Sequence, residues 1–305
     1  RLVAWSNEEG SRFAPGAMGS MVFIGLRQAG EFLDAVDAQG IRLGDALKLS
    51  LAATPEAAPR SVKYPISAYV EAHVEQGPVL ERSAREIGVV TAIQGCRWFE
   101  VEILGESCHA GSTPLSVRRD AMQGAHRFVA ALNTHFADAS DITRFTVGRF
   151  ELQPNSPNTV AARAFLTIDF RHPDDNVLQK KGDEIAALAE SVVSPCQVRV
   201  YEPFASPSVH FPQFMIDTID QSAQELGISR MKVASGAFHD AMFLARHCPT
   251  GMIFVPSRAG ISHHPDEYTG PQQLAAGARV LCETLVALAN RNQSPGDIGL
   301  EATPI

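Results

Sequence analysis

Long apolar runs are missing from this sequence: none approaches the about 18 residues that a membrane-spanning helix needs. Paired cysteines are missing as well. The five present, Cys96, Cys108, Cys196, Cys248 and Cys282, are odd in number, far apart and without a Cys-x-x-Cys spacing. In a chain of 305 residues this reads as reduced thiols in a cytoplasmic protein, not as a disulfide framework. Positive charge is scarce, with 26 Lys and Arg against 34 Asp and Glu and a formal net charge of -8. Arg118-Arg119 and Lys180-Lys181 are isolated doublets on solvated helix faces, so no footprint for nucleic acid or an anionic membrane is present. Phosphate-cradling glycine spacings, a Gly-x-Ser-x-Gly elbow and a His-Glu-x-x-His helix are all absent, which argues against nucleotide binding, serine hydrolysis and short-range metal motifs. The first residues, Arg1 to Trp5, lack a signal-peptide pattern and open directly in an apolar run, as the middle of a strand preceded by further chain would.

The composition that remains is that of a folded protein: 45% hydrophobic, 20% charged and 7% aromatic, long enough for two domains. Leu2 to Ser6 reads as a short strand, and Ala29 to Ala38 and Leu43 to Leu49 have helical apolar spacing. Ser67 to Gln76 alternates strictly, with Ala68, Val70, Ala72 and Val74 on one face and Tyr69, Glu71, His73 and Glu75 on the other. From Gly88 the pattern changes. After a strand at Val89 to Ile93 come Trp98 to Leu104 (strand), Val117 to Asn133 (helix), Arg144 to Leu152 and Ala162 to Arg171 (strands), Asp175 to Val193 (helix) and Gln197 to Tyr201 (strand). This β-α-β-β-α-β order predicts a ferredoxin-like unit over residues 94–206. Pro203 to Pro212 reads as a linker, after which helix Phe214 to Leu226, strand Met252 to Val255 and helix Pro271 to Arg291 return to α/β character. The predicted architecture is an α/β domain, residues 1–93 and 207–305, interrupted by an inserted α+β domain.

Glu8-Glu9 follows the predicted first strand, where ligands gather in open α/β sheets. Two adjacent carboxylates repel unless a cation or shared proton intervenes, although an acidic surface turn looks the same in sequence. His73, flanked by Glu71 and Glu75, suits a metal ligand with supporting carboxylates, or an exposed mixed edge strand. His263-His264 lies in a loop after a buried strand, a setting that suits ligation by one imidazole. His239-Asp240 reads either as an oriented structural pair or as the cap of a helix. Composition and spacing end at an α/β protein whose scattered acids and histidines could converge on a metal.

Longer strings say more. Asn7-Glu8-Glu9-Gly10-Ser11-Arg12-Phe13, Met18-Gly19-Ser20 and Glu71-Ala72-His73-Val74-Glu75-Gln76-Gly77-Pro78 resemble the amidase/hydantoinase/carbamoylase family of two-zinc metallohydrolases. So do His109-Ala110-Gly111-Ser112-Thr113-Pro114, Asn158 to Arg171, Ser235 to Ala241 and Phe254 to His263, in family order across nearly the whole chain. The resemblance implies a two-zinc exopeptidase-like catalytic domain carrying a ferredoxin-like lid through which a homodimer forms. It implies two divalent metal ions (Zn, or Mn, Co or Ni), with Glu9, His73 and His263 as ligands and Glu8 as general base. Gln76, Asn158, Arg171 and Gly236 would bind a small carbamoyl or ureido acid, Arg171 by its carboxylate, and His109 would stabilise the carbonyl oxygen, reaching into the partner subunit's site. The implied reaction is hydrolysis of a linear amide C–N bond, as in N-carbamoyl-L-amino acids or allantoate.

Three departures qualify the resemblance. The family carries a His-x-Asp motif upstream of Glu8-Glu9, supplying a ligand and a metal-bridging carboxylate, and neither a His nor an Asp precedes Ser11 here. The chain beginning at Arg1 is therefore expected to be catalytically impaired. Ala161 stands where Pro is common, and Phe238 where Gly is usual, which would narrow a pocket. The alternatives are an aminoacylase or dipeptidase of the same fold, or a truncated, non-catalytic dimerising fragment.

Overall fold

The computed structural model describes residues 1–5, 7–56 and 61–291, and the chain divides into two compact units. One is built from Arg1–Ile93 and the chain from His210 onward, the other from Gln94–Val209.

The first unit begins with an irregular stretch. Arg1 to Trp5 form no strand, and Leu2 and Val3 are 92% and 44% exposed, contrary to the buried strand read from their apolarity; Ser6 lies outside the described residues. Instead of a backbone ladder, side chains hold this stretch: Arg1 stacks on Tyr64 and the Trp5 indole donates to the Tyr69 hydroxyl at 3.0 Å. Helices α1 (Met18–Phe23) and α2 (Leu43–Ala53) follow. The helix expected at Ala29 to Ala38 is only a single 3-10 turn, Ala29–Glu31, because Asp37 turns the chain back by accepting from the amides of Gln39 and Ile41. Strand β1 (Tyr69–Val74), the short helix α3 (Val79–Arg82) and strand β2 (Ile87–Ile93) complete the first half.

The second unit comprises β3 (Gly95–Leu104), α4 (Ala121–His135), β4 (Arg144–Gln153), β5 (Arg163–His172), α5 (Asp175–Val192) and β6 (Gln197–Ser206). The sheet order is β4-β5-β3-β6 with every neighbour antiparallel, the ferredoxin-like topology. Asp120 and Asp174 cap the helices by accepting from amides two and three residues on, which starts α4 at Ala121 instead of Val117. Ala121, Ala125, Phe128 and Leu132 of α4 and Leu178, Ile185 and Ala189 of α5 recur at helical spacing. They bury the alternate residues Phe99, Val101 and Ile103 of β3 and Leu166, Ile168 and Phe170 of β5. The sheet's other face carries the polar alternates. Pro203, expected in a linker, sits inside β6; an edge strand tolerates a residue without an amide donor, and the register shifts between Trp98 and Glu100 opposite it.

The chain then returns to the first unit through β7 (Val209–His210), α6 (Gln213–Glu225), β8 (Arg230–Ser235), α7 (Ala241–Leu244), β9 (Thr250–Val255) and α8 (Pro271–Asn290). The sheet runs β1-β9-β2-β7 with β8 also on β2; β1 and β9 are parallel, and β2 is antiparallel to β9. All six β9 residues are buried. Gly277 lets α8 lie close to it, since a Cβ there would come within 2.5 Å of Val255. Among the described residues no helix is long and apolar enough to cross a membrane, and all five cysteines are free.

Phe170 is fully buried, with its ring 4.5 Å from that of Phe136. Phe170→Ala should cost about 3–5 kcal/mol in urea unfolding, whereas Phe150→Ala, on the neighbouring strand and 42% exposed, should cost under about 1 kcal/mol. Equal losses would mean that the helix-covered face is not the unit's core.

Candidate functional site

Strand β1 turns its polar side inward. Glu71 is buried and His73 half-buried, while Ala72 between them is exposed. In parallel register with Phe254 of β9, His73 stands near the carboxyl ends of the two strands, and Nδ1 lies 2.9 Å from the Val74 carbonyl, leaving Nε2 to face the loops. Gln76 follows in a left-handed turn (φ 57°), its amide donating to Ser257 Oγ beyond β9 at 3.1 Å. His263, also left-handed (φ 54°), is anchored through its amide on Glu267. The Glu8-Glu9 loop is shaped by Asn7 (φ 58°), whose side chain donates to the Phe13 carbonyl and accepts from its amide. Ala17 donates to the Glu8 carbonyl, and Gly16 permits that approach because a Cβ there would collide with the same oxygen.

These loops bring five of the expected residues together. Glu9 accepts from Gln76 Nε2 at 2.7 Å and lies 2.9 Å from His263 Nε2 and 3.7 Å from His73 Nε2. Glu8 lies 3.9 Å from His73 Nε2 and 4.0 Å from His239 Nδ1. Gly236 follows β8 in the loop that leads to His239. His109 and Asn158 belong to the second unit, where they are neighbours: His109 bridges Thr159, and Ala110 donates to the Asn158 carbonyl at 3.0 Å. Nδ1 of His109 accepts from the amides of Gly111 and Ser112, and Arg171 lies elsewhere on that unit, paired with Asp169.

His239 and Asp240 were the least legible members. Asp240 makes no side-chain capping bond to α7, contrary to the capping alternative, and both residues are fully buried. His239 Nε2 meets Ser235 Oγ at 2.8 Å, and its Nδ1 lies 3.9 Å from Glu71 Oε1. Glu75, read as a companion of His73, instead accepts from the amides of Val79 and Leu80 and caps α3. The adjacency of His239 and Asp240 to a glycine loop was the available signal; their burial was not readable from it. Phe238 is 41% exposed and packs its ring edge-on against Phe243.

Burial and like charge dominate the electrostatics. Glu71 is pushed up to about 7 by burial, with the charges of Asp240 and Glu8 adding to it, and Asp240 to about 6 by burial and Glu8. Burial pushes His239 down to about 3, and the charge of His73 adds to this. Burial alone would lower His73 as well, but the Glu8 carboxylate, the Val74 carbonyl and the Glu71 charge together outweigh it and lift the imidazole to about 9. Among the described residues Glu71 Oε1 and His239 Nδ1 are buried without a hydrogen-bond partner, and Asp240 is buried with Ser20 beside it. Ligand atoms of Glu8, His73 and His239 all lie within 4.8 Å of one another, a spacing that suits one divalent cation. Unpartnered buried acceptors around imidazole and carboxylate donors are the chemistry such a cation satisfies, so the residues present fit a metal.

Comparison with known proteins agrees with this geometry. The model of peptidase family M20/M25/M40 matches residues 1–287. The chain is 36% identical to an N-carbamoyl-L-amino-acid amidohydrolase of Paenarthrobacter aurescens, over 94% of this chain and 70% of that protein. It is 34% identical to an allantoate amidohydrolase of Bacillus subtilis, with 94% and 70% covered. A crystal structure of a hydantoinase/carbamoylase-family amidase from Burkholderia multivorans superposes with a TM-score of 0.85 at 37% identity, covering 94% of this chain and 70% of that one. With imidazoles and carboxylates gathered at the ends of β1 and β9 and a family match over most of its length, the chain belongs to peptidase family M20/M25/M40, on its hydantoinase/carbamoylase amidase side.

Proposed function

We propose that this protein hydrolyses the carbamoyl C–N bond of a small N-carbamoyl or ureido acid. The observation that carries the reading is the convergence of Glu8, Glu9, His73 and His263 beside the buried His239, in a chain about a third identical to amidohydrolases of that class. Glu9, His73 and His263 are the ligands we assign to two divalent ions. Bound there, the ions would polarise the carbamoyl carbonyl and acidify a water. Glu8, directed at His73 and His239, takes the proton of the attacking water and returns it to the departing nitrogen. Gln76 orients the substrate from its turn beside Glu9. In the second unit His109 offers Nε2, its Nδ1 being held by two backbone amides, to the oxyanion of a partner subunit's substrate. Asn158 and the loop at Gly236 line the substrate, and Arg171 pairs with its carboxylate. The second unit is, in this reading, the lid through which a homodimer forms.

In the full-length protein, Glu8→Gln should abolish turnover of N-carbamoyl amino acids and leave the metal content, measured by elemental analysis, nearly unchanged. Glu9→Gln should lower the metal content. Loss of metal in Glu8→Gln would place Glu8 among the ligands with His73 and His239, where the 4.8 Å spacing also fits it.

Stability should depend on pH in a way that metal corrects. In the folded state Glu71 and Asp240 hold protons that the unfolded chain has released, so their contribution falls as pH rises from about 4 to about 7. His239, with its lowered pKa, acts in the opposite sense up to its ordinary value of 6.5. Between pH 6.5 and 9 the contributions of Glu71 and of His73, raised to about 9, both fall. Metal-stripped protein should therefore melt at progressively lower temperature between pH 6.5 and 9, and saturating zinc should flatten the slope. A metal-free melting temperature that stays level or rises across that window would contradict this account of the buried cluster.

A further inference from the structure

Arg171 does not stand alone on the open face of the second unit's sheet. Asp169, two residues earlier on β5 and therefore on the same face, takes its guanidinium in a two-pronged pair: Nε donates to Oδ1 and Nη2 to Oδ2, both at 2.8 Å. Asp169 is itself gripped from β3. In the antiparallel register Trp98 lies opposite Asp169 and Cys96 opposite Arg171. The Trp98 indole donates to Oδ2 at 3.0 Å, and the Cys96 thiol donates to Oδ1 at 3.7 Å. Burial, with the Asp169 charge, pushes that thiol up to about 12, so it stays a donor. Trp98 is seated in turn against Phe204, its partner on β6, with ring centroids 5.0 Å apart.

We infer that Asp169 is a positioning residue for substrate binding, holding the Arg171 guanidinium in the plane in which it receives a carboxylate. This rests on the carboxylate-binding role proposed for Arg171. Two effects of Asp169 compete. Its charge opposes a second carboxylate at Arg171, but it also fixes a long side chain that would otherwise lose rotamer entropy on binding. A further consideration decides for positioning: Arg144 of β4 lies directly opposite Arg171, and its guanidinium is drawn to the Asp141 carboxylate and to backbone carbonyls. With Arg144 met by Asp141, Asp169 is the carboxylate that holds the Arg171 fork on its own side of the strand pair.

The test compares N-carbamoylglycine with its carboxamide, N-carbamoylglycinamide, as substrates of the full-length, metal-loaded enzyme. Asp169→Asn should raise KM for the acid about tenfold, as expected for loss of a charge-assisted contact, with kcat within about twofold and no change for the amide. Trp98→Phe, which removes one donor to Asp169 and keeps the ring packing, should raise the same KM by about threefold and serves if Asp169→Asn fails to fold. Arg171→Ala separates the two ideas. If it leaves KM for the acid unchanged, the carboxylate-binding reading fails and this inference with it. If it raises KM for the acid selectively while Asp169→Asn and Trp98→Phe leave KM unchanged or lower it, the carboxylate-binding reading stands and the positioning role is overturned.

Discussion

Glu71 and His73 are carried into the interior by an edge strand, within 4 Å of groups belonging to loops from distant parts of the sequence, and the first unit is organised around that concentration of charge. Four carboxyl groups, Glu8, Glu9, Glu71 and Asp240, share this volume with His73, His239 and His263. A buried carboxylate is destabilising unless protonated, hydrogen-bonded or paired with a cation. Here protein partners satisfy only part of the set: Tyr69 donates to Glu71 and Gln76 to Glu9, whereas Glu71 Oε1 and His239 Nδ1 have no partner among the described residues. An interior of this kind is costly for stability and well suited to holding a divalent ion, which supplies the missing positive charge at one point.

The backbone meets a similar demand. Asn7, Gln76 and His263 all adopt positive φ without being glycine, each at a cost on the order of 1–3 kcal/mol. Each is held by a contact outside its own turn: Asn7 by Phe13, Gln76 by Ser257, His263 by Glu267. Strain of this kind persists only where the surroundings over-determine it, and here it delivers Glu8, Gln76 and the His263 ring to one place. The second unit carries its polar groups differently. Its core is apolar on the helix side of the sheet, and its ionisable residues sit on the open face in short cross-strand relays such as Phe204, Trp98, Asp169 and Arg171. There, water shares the cost of charge and side-chain geometry is set by register.

Local physics made much of the fold readable. Helical spacing in α4, α5, α6 and α8 and alternation in β3 and β5 survive in the structure because each of these elements buries one face against a neighbour. Readings failed where a particular turn, side-chain contact or sheet position overrode the apolar pattern. Leu2 and Val3 have strand-like apolarity but no ladder among the described residues, Ala29 to Ala38 yields to the Asp37 turn, and Pro203 is accommodated at a sheet edge.

For the site, the sequence by itself determined which residues are the candidates: Glu8-Glu9, His73 and His263 are recognisable because carboxylates and imidazoles occur in strings long enough to identify a family. The alternation of β1 likewise determined that Tyr69, Glu71 and His73 share a face, since side chains in a strand alternate whatever surrounds them. Which face is interior was decided only by tertiary structure. Burial depends on what packs against a strand, and β1 is covered on its polar side by loops whose residues lie as far as His239 and His263 along the chain. The same packing raised the pKa of Glu71 and lowered that of His239, shifts that arise from desolvation and neighbouring charge and so have no counterpart in a linear string of residues.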